Sequence, residues 1–282
     1  MKTAKLLLSL MFIAVITACA SATGTGKSED RPVISAAERA LAMWEVQNVM
    51  SKHAYLHAAG LHQLEMETCW VDAKGPNAGT ATLANPMMIM NGYDVIYRLY
   101  VTEHIQNQKK SLSAISAVHP EIKDTSKNLG TGHEWVMHTN TTPLIEIAGD
   151  GRSAKGIWYS PGIGLGPKVK DGSVEVRGTF FWEKYAADFL KENGRWKLWH
   201  LQMFYDFTPA LDSKWTDARG GGPPPEEAKD GKLVQQAERV RKLPEGCTPN
   251  PKSYKNWSPT RVPDLGPKFP EPYYTFSETF SY

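Results

Sequence analysis

EWVMHTNTTPLIEIA (residues 134–148), SAKGIWYSPGIGL (153–165), SVEVRGTFFWEKYAADFLKE (173–192) and RWKLWHLQMFYDF (195–207) follow one another in the middle of the chain. Between them stand Gly149-Asp150-Gly151, Asp171-Gly172 and Asn193-Gly194. β-branched and aromatic runs punctuated by such turn residues predict four strands joined as an antiparallel meander. Upstream the pattern is helical. Ser35 with Glu38 three residues later makes a capping box, and residues 36–58 (AAERALAMWEVQNVMSKHAYLHA) hold no Gly or Pro. Gly60 interrupts, and LHQLEMETCW continues as a second helical stretch. After a short strand candidate, TATLA (80–84), a long helix is expected over 93–118, stopped by Pro120. Helices first and a curved antiparallel sheet afterwards predict an α+β architecture, with the helices packed on one sheet face.

Composition bounds the rest. The 282 residues are 41% hydrophobic and 10% aromatic, enough for a sizeable core and too aromatic for a collagen-like or largely disordered chain. Lys and Arg number 32 against 30 Asp and Glu, and without Lys2 and Lys5 the balance is zero. A nucleic-acid binder needs a basic face to displace counterions, so that class is excluded.

Residues 1–19 (MKTAKLLLSLMFIAVITAC) carry a short positive head and an apolar run too short to span a bilayer comfortably. The end, Ile16-Thr17-Ala18-Cys19, resembles a bacterial lipobox, which implies an envelope lipoprotein held to the membrane only by lipid on Cys19. The alternative is an ordinary secretory signal cut near Ala20 or Ala22. Residues 20–35 read as a flexible tether. Cys69 and Cys247 then remain, and the sequence leaves open whether they pair or stand as separate thiols. From residue 209 the composition shifts to a Gly220–Pro225 linker, a polar helix over 226–243 and a Pro- and aromatic-rich stretch, 244–282. Eight aromatics there predict an arm wrapped over the domain or over a partner subunit of a homo-oligomer.

Several residues carry possible chemistry. Alternation puts His138, Asn140 and Thr142 on one face of the first strand; by itself this reads His138 as a core imidazole bonded to a backbone carbonyl. On the third strand Phe181, Glu183, Tyr185, Ala187 and Phe189 share a face. Glu183 is there either a carboxyl with raised pKa among aromatics or a solvent-facing partner of Lys184 or Lys197. His200, alternating with Leu198, Gln202 and Phe204, reads as core or pocket wall. Tyr93, Tyr97, Tyr100 and His104 form a stripe at spacings 4, 3 and 4, suited to a flat aromatic ligand or to plain amphipathic packing. His53 and His57 have the i, i+4 spacing of a helical metal pair, but HExxH and paired cysteines are absent, so no metal is expected. Gly162–Gly166 lacks the following helix of a phosphate loop, and no Gly-x-Ser-x-Gly elbow exists.

HTNTTPLIEIAGDGRSAKGIWYSPG (138–162) followed by TFFWEKYAADFLKENGRWKLWHLQMFYDF (179–207) resembles the SnoaL-like branch of the nuclear transport factor 2-like superfamily. The matching order is a histidine-bearing strand, an apolar strand, a Gly-Asp turn, and a late strand leading into Glu192-Asn193-Gly194-Arg195-Trp196. The resemblance covers 36–208 and implies a cone-shaped, strongly bent sheet closed by helices around a deep apolar pocket. It implies a cofactor-independent lyase, dehydratase or isomerase acting on a hydrophobic small molecule, aromatic or polycyclic. His138 would move the proton, Glu183 would be the second acid or base, and Tyr55 would polarise a substrate oxygen. Tyr97, Tyr100, Asn140, Tyr185 and His200 would line the substrate site. Dehydratase-like relatives often place an Asp near the end of the first helix, where this chain has Ala58 and Ala59. The family also holds non-catalytic binding proteins, so an envelope lipoprotein that captures an apolar ligand is the alternative.

Overall fold

The Ser35 hydroxyl accepts the Glu38 backbone N–H at 3.2 Å, and the Glu38 carboxylate accepts the Ser35 N–H at 2.8 Å. Two of the orphan donors that begin a helix are thereby satisfied, and α1 (Ala36–Ala58) starts where the capping box predicts. Its buried residues, Ala42, Val46, Val49, Met50 and His53, fall on one stripe. At Gly60 the chain takes φ +68°, a left-handed turn that suits glycine, and redirects into α2 (His62–Cys69). The long helix expected over 93–118 is α3 (Tyr93–Tyr97), a π-helical turn (Arg98–Glu103) and α4 (His104–Val118) in uninterrupted succession.

The computed structural model describes residues 31–123, 135–211, 242–251, 254–257 and 262–282. The expected leader, most of the tether, the Gly/Pro linker and the polar helix from 226 lie outside the described residues. Among the described residues no helix is long and apolar enough to cross a membrane, and residues 33–282 form one compact unit.

The sheet holds β1 (Thr82–Ala84), β2 (Met88–Asn91), β3 (Trp135–His138), β4 (Thr141–Ile147), β5 (Ser153–Lys170), β6 (Ser173–Glu192), β7 (Arg195–Phe207) and β8 (Cys247–Pro249). Their order is β3-β5-β6-β7-β1-β2-β8, with β4 also on β5. β5, β6 and β7 form the expected antiparallel meander, and β1 runs parallel to β7, making the sheet mixed. The fold is α+β, with α1, α2 and α3 packed over the inner face around Val46, Met50, Met66, Trp70, Ile96 and Phe189.

Two local irregularities overturn simple alternation. The expected strand 134–148 is two strands sharing one edge: β3 pairs with residues 162–165 of β5, β4 with residues 154–159. The break at Thr139 and Asn140, and φ +52° at Thr142, separate their faces. In β7, Asp188 faces His200 while Phe189 faces Leu198, so Trp199 is an extra residue. A bulge of one residue reverses every side chain beyond it. Cys69 and Cys247 are both free thiols.

The outer face of β5–β7 is covered by the last part of the chain. Tyr273 and Tyr274 carbonyls accept from Gly149 and Asp150 N–H, each at 2.9 Å. Beneath, Lys155 and Asp188 are fully buried and meet at 2.6 Å. Asp188 also receives His200 Nδ1 at 2.8 Å, and the Ser281 hydroxyl and Tyr282 N–H at 3.0 Å each. The rings of Phe276, Phe280 and Tyr282 stand 4.4 to 4.9 Å from Lys155 Nζ. Removing one partner of a buried pair strands the other charge, at a cost of about 3–5 kcal/mol. Asp188→Ala is therefore expected to destabilise the fold by that order in urea denaturation and to expose the C-terminal arm to protease. Glu175→Gln, in an exposed pair with Arg177, should leave the midpoint within about 0.5 kcal/mol.

Candidate active site

Gly162 sets the position of β3. A Cβ there would stand 2.2 Å from the Met137 carbonyl oxygen and 3.1 Å from His138 Nδ1, so only glycine lets the two strands approach this closely. β3 then delivers Val136 and His138 to a cavity of about 240 Å³ enclosed between α1, α2, the π-helical turn and the inner sheet face. Trp70, Leu83, Met90, Phe181, Leu201 and Met203 supply apolar wall. His53, His57, Glu65, Tyr100, His138, Glu183, Tyr185 and Tyr205 supply everything polar.

One polar wall is β-borne. His138 Nδ1 lies 3.8 Å from Glu183 Oε2 and 3.5 Å from the Ser160 hydroxyl. The imidazole stacks on Phe181, ring centroids 5.4 Å apart. Burial, helped by the charge of His53, draws its pKa down to about 4, against a smaller upward pull from the Ser160 backbone. Glu183 is 2% exposed, and its Oε2 is buried without a hydrogen-bond partner. Burial pushes its carboxyl up to about 8, the hydrogen bond with Tyr185 opposing only in part. At neutral pH this wall presents a neutral imidazole beside a neutral carboxylic acid. Burial and the neighbouring Glu183 push the Tyr185 phenol well above its usual range, and the same two causes raise that of Tyr205.

The facing wall is helical. Glu65, fully buried, accepts from His53 Nδ1 at 2.7 Å and from the Tyr100 hydroxyl at 2.8 Å. His62 Nδ1 stands 3.5 Å from its second oxygen. Burial would raise the Glu65 carboxyl, but the charge of His53 and the bonds from His53 and His62 outweigh it and hold the group well below the carboxylate range. His57 Nδ1 bonds the Tyr100 hydroxyl, the two rings stacked at 5.7 Å and 1°. Burial keeps His57 neutral, its pKa well below the imidazole norm.

Of the residues singled out from the sequence, the structure brings His138, Glu183, Tyr185 and Tyr100 together at the cavity. It leaves four elsewhere. Tyr55 is 80% exposed on the outer side of α1, since the inward stripe passes through His53 and His57. Asn140, past the end of β3, donates to the Met50 carbonyl at 2.8 Å and borders a surface groove with Tyr55. Tyr97 stacks on Tyr93 at 6.2 Å, outside the cavity. His200, turned outward by the bulge at Trp199, bonds Asp188 and the Thr80 carbonyl under the C-terminal arm. Glu65 and His62 are not singled out by the sequence, and Tyr205, on an aromatic-rich last strand, reads there as core. The His53–His57 pair extended past Gly60 to His62 and Glu65 was the available signal.

A mixed sheet with helices packed on its inner face and a small cavity between them defines an α+β protein. The SnoaL-like domain family matches residues 38–202, more than half of the chain, and the chain belongs to that family. Among solved structures it is similar to a protein assigned as a scytalone dehydratase from Novosphingobium aromaticivorans. That match has 11% identity and a TM-score of 0.44, and covers 64% of this chain and 94% of that one. A hexachlorocyclohexane dehydrochlorinase from Novosphingobium barchaimii is 12% identical at a TM-score of 0.41, over 64% and 97% of the two chains. A protein of unknown function from Mycobacterium tuberculosis is 12% identical at 0.37, over 59% and 72%. These likenesses concern the fold. No curated protein matches the sequence.

The state of Glu183 has a measurable consequence. Its pKa is about 8 in the fold against 4.5 for an ordinary glutamate. The native state keeps a proton that the unfolded chain releases, so stability falls as pH rises between those values. Glu183→Gln removes this dependence. The variant is expected to exceed the wild type by on the order of 3 kcal/mol near pH 7 and to match it near pH 4, measured by urea denaturation across pH.

Proposed function

We propose that the chain is a lyase or isomerase that moves a proton on a small apolar molecule, with His138 as base and Glu183 as acid. One observation carries the reading: two titratable side chains, 8% and 3% exposed, lie 3.8 Å apart in a cavity whose sheet-borne wall also holds Phe181, Leu201 and Met203. A neutral imidazole accepts a proton from carbon, and the protonated carboxyl gives one to the oxygen that leaves or becomes an enol. In an elimination, C–H and C–O bonds break, C=C forms, and water departs carrying the Glu183 proton. His138 returns its proton to Glu183 across the short gap between them. The SnoaL-like membership supports this class of chemistry, as a family with members of several activities can.

Size limits the substrate. A cavity of about 240 Å³ falls below the roughly 300–1,000 Å³ typical of drug-sized ligands. One ring or a fused pair fits better than the polycyclic compound the sequence resemblance allows. Tyr185 and Tyr205, protonated at all working pH values, offer hydroxyls to a substrate oxygen.

The test uses hydroxylated one- and two-ring compounds, with loss of water or movement of deuterium followed by mass spectrometry. His138→Ala and Glu183→Gln are each expected to lower kcat/KM by about 10²–10⁴, while Tyr55→Phe stays within about twofold, consistent with its exposed position. Turnover should fall as Glu183 loses its proton near pH 8. Activity within a few-fold of wild type in either cavity variant would refute the assignment.

We further propose that Cys19 carries a lipid that places the enzyme in the bacterial envelope. Cys19→Ser is expected to move the chain from the membrane fraction to the soluble one; an unchanged distribution would count against the anchor.

A further inference from the structure

The helical wall gathers several ligating groups around its one carboxylate. Glu65 is already satisfied by His53 Nδ1 at 2.7 Å and Tyr100 at 2.8 Å. His57 and His62 nevertheless crowd the same point, ring centroids 5.0 Å apart, with His104 packed edge-on against His62 at 4.6 Å. Donor atoms of His57, His62 and Glu65 all lie within 4.8 Å of one another. Two imidazoles and one carboxylate are the His₂Glu set of catalytic zinc sites, which leave a fourth position open. We infer that His57, His62 and Glu65 bind one divalent zinc-like ion, its open position facing the cavity.

Three features of the chain suit that role. His57 closes the last turn of α1, and Gly60 folds α2 back so that His62 and Glu65 meet it. Donors around tetrahedral zinc stand about 3.4 Å apart; the three donors here already lie within 4.8 Å of one another. Beyond the ligands, His53 and Tyr100 hold the Glu65 carboxylate, an outer shell of the kind that orients metal ligands. Two imidazole donors favour zinc or a similar transition-metal ion over magnesium or calcium. HExxH is absent because the ligands are divided between two helices across a turn, which a single-helix motif does not describe. The ion would polarise a substrate oxygen opposite His138 and Glu183. Its binding does not depend on the proposed reaction.

The full chain, expressed without a histidine tag, is stripped with chelator, dialysed and titrated with Zn²⁺ against a chromophoric chelator. Co²⁺ absorption provides a second reading. About one equivalent of Zn²⁺ per chain is expected, with a tetrahedral or five-coordinate Co²⁺ spectrum. His57→Ala, at a half-buried position, and His62→Asn are each expected to weaken binding at least tenfold while far-UV circular dichroism is kept. Glu183→Gln should leave Zn²⁺ binding unchanged even where turnover is lost, which separates failure of the metal site from failure of the proposed reaction. Less than about 0.1 equivalent in the wild type, or full affinity in a folded His57→Ala variant, would overturn the inference.

Discussion

Burial of residues 183–189 of β6 on both faces is the constraint from which the chemistry follows. Helices cover the inner face of this stretch and the C-terminal arm its outer one, so an ionisable side chain buried there must be paired or give up its charge. The two carboxyls of the stretch meet the demand in opposite ways. Asp188, facing outward, is met by Lys155, His200, Ser281 and the Tyr282 N–H. The bonds from His200 and the charge of Lys155 overcome the cost of burial and lower its pKa. Glu183, five residues earlier and facing inward, has one oxygen with no hydrogen bond and no cation among the causes that shift its pKa, counting the described residues. It keeps its proton.

That contrast divides the molecule by role. The outer network is fully satisfied and ties the arm to the sheet; aromatic rings around Lys155 shut water out. The inner face is left incomplete. An unsatisfied buried carboxyl is costly, and it is tolerated here beside a neutral imidazole in a cavity large enough for a small ligand. Polar groups left unpaired within an otherwise close-packed interior are where a fold holds capacity for binding or catalysis.

The opposite wall is organised by α1 and α2 rather than by the sheet. Glu65 there is held well below the carboxylate range by His53 and His62, whereas burial dominates at Glu183. One cavity thus contains an ionised carboxylate and a protonated one a short distance apart, kept different by their immediate surroundings. The SnoaL-like fold positions both walls without prescribing a reaction; the reaction resides in which groups β3, β6 and the helix pair carry.

Much of this was legible before any tertiary structure. Turn residues and alternation determined the meander β5–β6–β7, because those rules act over two to four neighbouring residues. The Ser35–Glu38 box determined where α1 begins, and alternation along β6 put Glu183 and Tyr185 on one face. Three-dimensional packing decided the rest. A single extra residue at Trp199 turned His200 away from the cavity, and the break after His138 sent Asn140 to the Met50 carbonyl. The phase of α1 against the sheet put His53 and His57 inside and Tyr55 outside. Bulges, strand breaks and helix rotation are set by what each element packs against, often more than a hundred residues distant in the chain, and local periodicity carries no record of that partner.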